Sequence, residues 1–288
     1  MHISVITVAY RSAASIAASI DSILRQRNVS AEMIVVDNAS PDETLEVLKG
    51  FGGKIHAIEN RENVGFGRGC NQGFAAARGK YGYFLNPDAE LVGDNALQTL
   101  CLEMDEHPQW AIAGTRVVKT DGEIETPSLT YPDQERASVD FSSLPGKIAW
   151  VIGASMIVRR EVFEKLGGFD PQFFMYGEET DLCLRARQAG QEIGYIKNVE
   201  VRHIGAASEQ GKDPYDVWIR HTKGLHQFWR KHYRPSDVTR LMRLNRARAR
   251  YRMIVNGLIA RLAGTGSRAG EKERRYRAVW EMSRPNRE

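Results

Sequence analysis

The chain has 288 residues, 42% of them hydrophobic and 9% aromatic, which suits one large α/β domain with an appendage and excludes a disordered or fibrous protein. Its net charge of +4 conceals a division, because residues 215–288 carry 19 Lys/Arg against 6 Asp/Glu whereas residues 1–214 carry 21 against 30. Three cysteines, Cys70, Cys101 and Cys183, without CxxC spacing exclude a disulfide framework and a thiolate zinc site, and they suit a reducing cytosol.

In chain order, Ile3 to Ala9 reads as a buried strand, too short and too soon followed by Arg11 for a signal peptide. Ser12 to Arg25 follows with Ile16, Ile20, Ile23 and Leu24 at helical spacing. Met33 to Val36 is a second strand ending at Asp37, and Pro41-Asp42 starts a helix running to Lys49. The spacing then predicts a strand at Ile55 to Ile58, a helix at Arg68 to Ala77, a strand at Tyr81 to Leu85, a helix at Asn95 to Glu106 and a strand at Ala111 to Val118. This βαβα rhythm implies a doubly wound, mostly parallel sheet, whose ligands bind at the carboxyl ends of the strands, where Asp37 and Asp88 fall. Lys119 to Lys147, with Pro127, Pro132 and Pro145, reads as a mobile loop over or beside the site. Beyond it are expected a strand at Ile148 to Val158, a helix at Arg160 to Leu166, a turn at Gly167-Gly168-Phe169-Asp170, a helix at Glu178 to Ala189, and a strand from Ile193 that ends at His203. Pro214 to His232 is a helix, and a basic stretch follows Pro235. No run of about 18 apolar residues is present, so nothing spans a membrane.

Three segments carry the chemistry. Asn86-Pro87-Asp88 follows a strand, Glu178-Glu179-Thr180-Asp181 opens a helix, and His203 ends another strand. Asp88 can hold a hard divalent cation that keeps waters and shares phosphate oxygens, and an imidazole at His203 suits Mn more than Mg. The alternative for His203 is a cap on a loop carbonyl, and for the carboxylates of residues 178–181 a helix cap that complements the macrodipole. Arg185, one turn past Asp181, reads as its structural ion-pair partner. Gly65-Phe66-Gly67-Arg68-Gly69 lacks the dinucleotide-binding spacing and does not follow the first strand, so no dinucleotide cofactor is expected.

Val35-Val36-Asp37-Asn38-Ala39-Ser40, Asn63-Val64-Gly65-Phe66 with Asn71 and Gly73, Leu85-Asn86-Pro87-Asp88, Gly167-Gly168-Phe169-Asp170 and Glu178-Glu179-Thr180-Asp181-Leu182-Cys183-Leu184-Arg185 together resemble the motif series of family 2 glycosyltransferases. The resemblance covers about residues 3–233 and is strongest to the bacterial rhamnosyltransferase-like branch. It implies a GT-A fold over residues 1–213 with a basic helical extension over 214–288, a nucleotide-diphosphate sugar donor, Mg or Mn, and inversion at the anomeric carbon. It places Thr7, Ala9, Tyr10, Asp37, Asn38, Asn63, Gly65, Asn71, Asn86 and Asp88 at the nucleotide-sugar, Asp88 and His203 at the metal, and Glu179 as general base, with Glu178 or Asp181 as catalytic carboxylates that share that role. Asn86 stands where the family's Asp-x-Asp signature has its first aspartate, and Glu179 where many relatives have Asp.

The expected donor is dTDP-L-rhamnose, with a UDP-hexose as the alternative, and the expected acceptor is a glycan on a polyprenyl diphosphate carrier of a bacterial surface polysaccharide. An inactive glycan-binding or scaffold protein remains a further alternative. A sugar-nucleotide nucleotidyltransferase is disfavoured because Thr7 to Ser12 contains no glycine. In the tail, Leu241, Leu244, Ile254, Leu258, Ile259 and Leu262 alternate with seven arginines between Arg240 and Arg261. That is the composition of a helix lying on an anionic membrane at the cytoplasmic face, or of a helical pair that packs on the body or forms a homodimer. Few stacking aromatics accompany it, so nucleic acid is not expected.

Overall fold

The computed structural model describes residues 2–204 and 213–284. They form two compact units, residues 2–131, 143–174 and 178–204 in the first and 132–142, 175–177 and 213–284 in the second.

The first unit is built on β1 (Ile3–Ala9), α1 (Ile16–Leu24), β2 (Ala31–Asp37), α2 (Thr44–Gly50), β3 (His56–Glu59), α3 (Phe66–Ala76), β4 (Tyr81–Leu85), β5 (Ala89–Leu91), α4 (Ala96–Glu106), β6 (Trp110–Lys119), β7 (Ile124–Glu125), β8 (Ser155–Arg159), α5 (Arg160–Lys165), α6 (Glu178–Gln188) and β9 (Glu192–His203). One sheet runs in the order β3-β2-β1-β4-β8-β6-β9-β5, with β7 paired to β6. The β3-β2-β1-β4 part is parallel, as the βαβ rhythm requires, and beyond β4 the sheet is mixed: β8 runs antiparallel to both β4 and β6, and β5 antiparallel to β9.

Every residue of β1 is buried because both faces of the strand are covered. Its alternation sorts the core into two layers. Ile3 and Val5 pack with Ile16, Ile20, Leu97 and Leu100 on one face, while Ile6 and Val8 pack with Phe74, Phe163, Leu182 and Ala186 on the other.

Three expected elements are corrected. The first helix begins at Ile16, because Ser12 is taken up in a local turn: its Oγ accepts from Tyr10 N, its own N–H donates to Thr44 Oγ1, and Arg11 has φ 55°. The strand expected at Ile148 to Val158 contains only Ser155–Arg159. Its partner β4 ends opposite Ser155, and the preceding segment leaves the ladder to bridge Trp150 to Ser128.

The segment expected as a mobile loop is tied down at both ends. Arg187, buried on α6, donates through its guanidinium to the carbonyls of Leu144, Pro145 and Gly146 and to Tyr131 Oη. Residues 132–142 belong to the second unit, where Pro132 O accepts from Tyr233 Oη at 2.6 Å and Ser138 N donates to Asp237 at 2.8 Å.

The second unit consists of α7 (Pro214–His232), α8 (Pro235–Ala263) and α9 (Arg268–Met282), with Phe228, Trp229, Tyr233, Leu241 and Ala278 at its centre. No helix among the described residues is long and apolar enough to cross a membrane.

Arg187→Met keeps the aliphatic stem but leaves three carbonyls without their charged donor. We expect a loss of about 2–3 kcal/mol in urea unfolding and new protease cleavage within residues 143–147.

Candidate active site

The parallel strands end together, since Ala9 lies opposite Asp37 in the β1–β2 register. Asp37 is buried. Its Oδ2 accepts from Ser40 N at 3.2 Å, while its Oδ1 has no hydrogen-bond partner among the described residues. Thr7 Oγ1, on the adjacent strand and two residues earlier in register, is also buried without one. Polar atoms buried in this way are costly unless something completes them, so they mark where a polar ligand fits.

The expected nucleotide residues separate into two groups. Thr7, Ala9, Tyr10 and Asp37 lie at the strand ends. Asn38 is instead a brace. Its Nδ2 donates to Asn63 Oδ1 and Gly65 O, its Oδ1 accepts from Asn60 Nδ2 and Val64 N, and its N–H donates to Ala9 O, which uses its whole amide capacity. Asn63 also accepts from Gly65 N at 3.0 Å. Gly65 has φ 90° and lies so close to the Phe174 carbonyl that no β-carbon fits. Asn71 is committed elsewhere, with Nδ2 donating to Phe169 O at 2.7 Å and Oδ1 accepting from Phe169 N at 2.9 Å. Asn38 and Asn71 therefore shape the loops at residues 60–65 and 167–170 with their side-chain amides.

Asp88 and His203 come together through β5, a strand the sequence analysis did not find. Ala89 pairs with His203, and Ile204 N donates to Asp88 O at 3.0 Å. His203 Nε2 lies 3.3 Å from Asp88 Oδ1 and 3.3 Å from Asn86 Nδ2. Glu125, missed in the sequence because it sits in the supposed loop, faces the other ring nitrogen. Its Oε2 is 3.9 Å from Nδ1, and neither atom has a hydrogen-bond partner among the described residues. Burial works against the charged imidazole, but Asp88 and Glu125 together outweigh it and raise the His203 pKa to about 9. Glu125 is lowered in turn, chiefly by His203.

No cluster of three or more His, Cys, Asp or Glu side chains able to hold a metal occurs among the described residues. The carboxylate of Asp88 and the imidazole of His203 nevertheless fit a Mg or Mn ion that keeps waters and shares phosphate oxygens, with the cation replacing the proton that now links them.

The three acidic residues of α6 differ sharply in surroundings. Asp181 is fully buried and accepts from Arg185 Nε at 2.8 Å, while Arg185 also donates to Leu166 O and Gly168 O. This is the structural ion pair expected from the sequence, and it removes Asp181 as a base. Glu178 is buried beside Gly67, its Oε2 has no hydrogen-bond partner among the described residues, and burial reinforced by Glu179 pushes its pKa well up. Glu179 is half-buried, and a side-chain carbon on Gly153 would lie 3.7 Å from its Cβ. The adjacent Ala154 carbonyl accepts from Asn86 N at 3.0 Å, so the segment 153–154 joins the acidic helix start to the Asp88 region. The free cysteines are all buried, and burial raises each thiol.

The His203 contact carries a pH dependence. Its folded pKa of about 9 exceeds the ordinary 6.5, so its contribution to stability is full below pH 6.5 and is lost as pH rises through 9. In chelator-treated protein the thermal midpoint should therefore fall across that window. The fall should shrink in Asp88→Asn, and an NMR titration of the His203 ring should then show a lower pKa.

Two family models match the chain, "Glycosyl transferase family 2" over residues 4–167 and "Glycosyl transferase family group 2" over residues 88–268. Among curated proteins it is similar to the N-acetylglucosaminyl-diphospho-decaprenol L-rhamnosyltransferase of Mycobacterium tuberculosis, with 26% identity over 242 residues that cover 72% of this chain and 76% of the relative. Among solved structures it shares a fold with S. aureus TarS 1-349 in complex with UDP-GlcNAc (TM-score 0.59, 17% identity, 98% of this chain and 91% of the other). The same holds for the mannosyltransferase PcManGT from Pyrobaculum calidifontis in complex with GDP-Man and Mn2+ (TM-score 0.58, 17% identity, 98% and 72%). Because the first of these family models matches more than half of the 288 residues, and the fold is the one these solved structures share, the chain belongs to the family 2 glycosyltransferases.

Proposed function

We propose that this glycosyltransferase inverts the anomeric centre of L-rhamnose in moving it from dTDP-L-rhamnose to a glycan on a polyprenyl diphosphate carrier, in bacterial surface polysaccharide synthesis at the cytoplasmic face of the membrane. The observation that carries the catalytic part is the contrast on α6, where Glu178 is buried and its pKa raised while Glu179 next to it is half-buried and is taken as the base. The rhamnosyl donor and the lipid-linked acceptor are supported by the mycobacterial relative's name. A UDP-hexose donor is the second reading, supported by the UDP-GlcNAc complex of a protein with the same fold.

The reaction is a single in-line displacement. The acceptor oxygen forms its bond to the anomeric carbon as the bond to the diphosphate oxygen breaks, and the hydroxyl proton passes to Glu179. Thr7 and Asp37 hold the nucleoside end of the donor, and the loop braced by Asn38 and Asn63 brings the Gly65 backbone close to it. Asp88 and His203, with Asn86 beside them, would hold a Mg or Mn ion, which when bound neutralises the charge growing on the departing diphosphate. Glu125 faces the His203 ring from the side away from Asp88, 3.9 Å from Nδ1, and adds a negative charge that favours the charged imidazole.

Glu179→Gln should lower kcat by about two to four orders of magnitude with little change in donor affinity measured by calorimetry. A thermal-shift panel of dTDP, UDP, GDP and their sugar conjugates, with and without Mn, identifies the donor: a ligand at about 100 times its dissociation constant adds roughly 2.7 kcal/mol. A shift with a dTDP-sugar that needs the cation and is weakened in Asp88→Ala supports the reading, and a shift only with UDP-sugars moves it to the hexose donor. Unchanged glycan binding by both wild type and Glu179→Gln, with no transfer and no nucleotide shift, would identify an inactive glycan-binding protein.

A further inference from the structure

The 29-residue helix α8 has two chemically different sides. One side holds the buried Ala249 and Ala260 and faces α9, where Arg252 donates to Tyr276 Oη at 2.7 Å and the Arg246 guanidinium lies 5.7 Å from the Trp280 ring centre. On the other side Leu244, Tyr251, Val255, Leu258 and Leu262 recur at intervals of seven, four, three and four, which is one stripe of a helix. All five are exposed, from 36% at Val255 to 92% at Leu262. The exposed Arg243, Arg250 and Arg261 run along one border of the stripe at the same angular position, and Arg248 lies on the other. The helix's single acidic residue, Asp237, is buried and already paired with Arg240 and Ser138.

An exposed apolar stripe of this length marks an interaction surface, and its charged border selects the partner. A second copy of the chain would place the stripe against itself in a two-fold contact and bring the arginine rows together without an intervening acid. An anionic lipid surface satisfies both features at once, with acyl chains for the leucines and phosphate headgroups for the arginines. The helix cannot cross the bilayer, so it lies along it.

We infer that α8 binds an anionic membrane through the Leu244–Leu262 stripe, with Arg243, Arg250 and Arg261 on the headgroups. The inference goes beyond the catalytic reading and does not rest on it, because vesicle binding requires no sugar nucleotide.

The test is co-sedimentation of the full-length protein with vesicles of phosphatidylcholine alone and of phosphatidylcholine mixed with phosphatidylglycerol. The wild type should bind the anionic vesicles strongly and the neutral ones weakly, with added salt narrowing the difference. Replacing Arg243, Arg250 and Arg261 by Gln should weaken anionic binding about fivefold per charge, and Leu258→Gln with Leu262→Gln should cut binding to both vesicles by about tenfold or more. Circular dichroism and an unchanged thermal midpoint establish that both variants stay folded. Absent vesicle binding, or equal binding to both compositions, overturns the inference. A concentration-dependent dimer in ultracentrifugation that the leucine variant dissolves, without vesicle binding, overturns it in favour of a second copy.

Discussion

Three residue pairs between β5 and β9 set the geometry on which the candidate site depends, matching Ala89 with His203, Glu90 with Arg202 and Leu91 with Val201. The pairing brings residue 88 beside residue 203 although 115 residues separate them in the chain. β9 is itself held in parallel register with β6, and β6 also carries β7, so His203 and Glu125 are placed by backbone ladders, while Asp88 lies in the turn that leads into β5 and is held there by the Ile204 N–H. A charged imidazole between two carboxylates is favourable there despite its burial.

The acidic pair at the start of α6 shows how burial gives two identical side chains different surroundings. Glu178 points into the packed side of the helix near Gly67 and Cys70, where burial and the neighbouring Glu179 charge raise its pKa. Arg185 meanwhile neutralises Asp181 and holds the carbonyls of Leu166 and Gly168. Asn71 grips Phe169 from α3. Asn71, Asp181 and Arg185 therefore work largely as a frame that fixes the segment around residues 166–170 beside the start of α6.

Much of the first unit was legible in the sequence because its strands are short β-branched runs and its helices carry apolar residues at helical spacing. The boundaries that failed have local causes. Ser12 accepts from Ile16 N but turns its own N–H to Thr44 Oγ1, so the regular helix starts after it, and residues 148–154 are apolar enough for a strand but have no free ladder position beside β4. β5 is only three residues long and β7 only two, below what a periodic pattern can reveal, yet they position Asp88 and Glu125. Arg187 could not be identified as the anchor of residues 144–146 because its acceptors are backbone carbonyls, which leave no trace in sequence.

The amino-acid sequence by itself determined the βαβ half of the sheet, the order of the motifs, the Asp181–Arg185 pair one helical turn apart and the basic character of the last three helices, since each follows from local periodicity, spacing or charge. Only the tertiary structure decided which of two adjacent glutamates is buried, which asparagines brace loops, that Glu125 stands behind His203, and which face of α8 is left exposed. Those outcomes depend on what packs against a side chain from elements distant in the chain, and desolvation and pairing energies have no counterpart in a linear pattern.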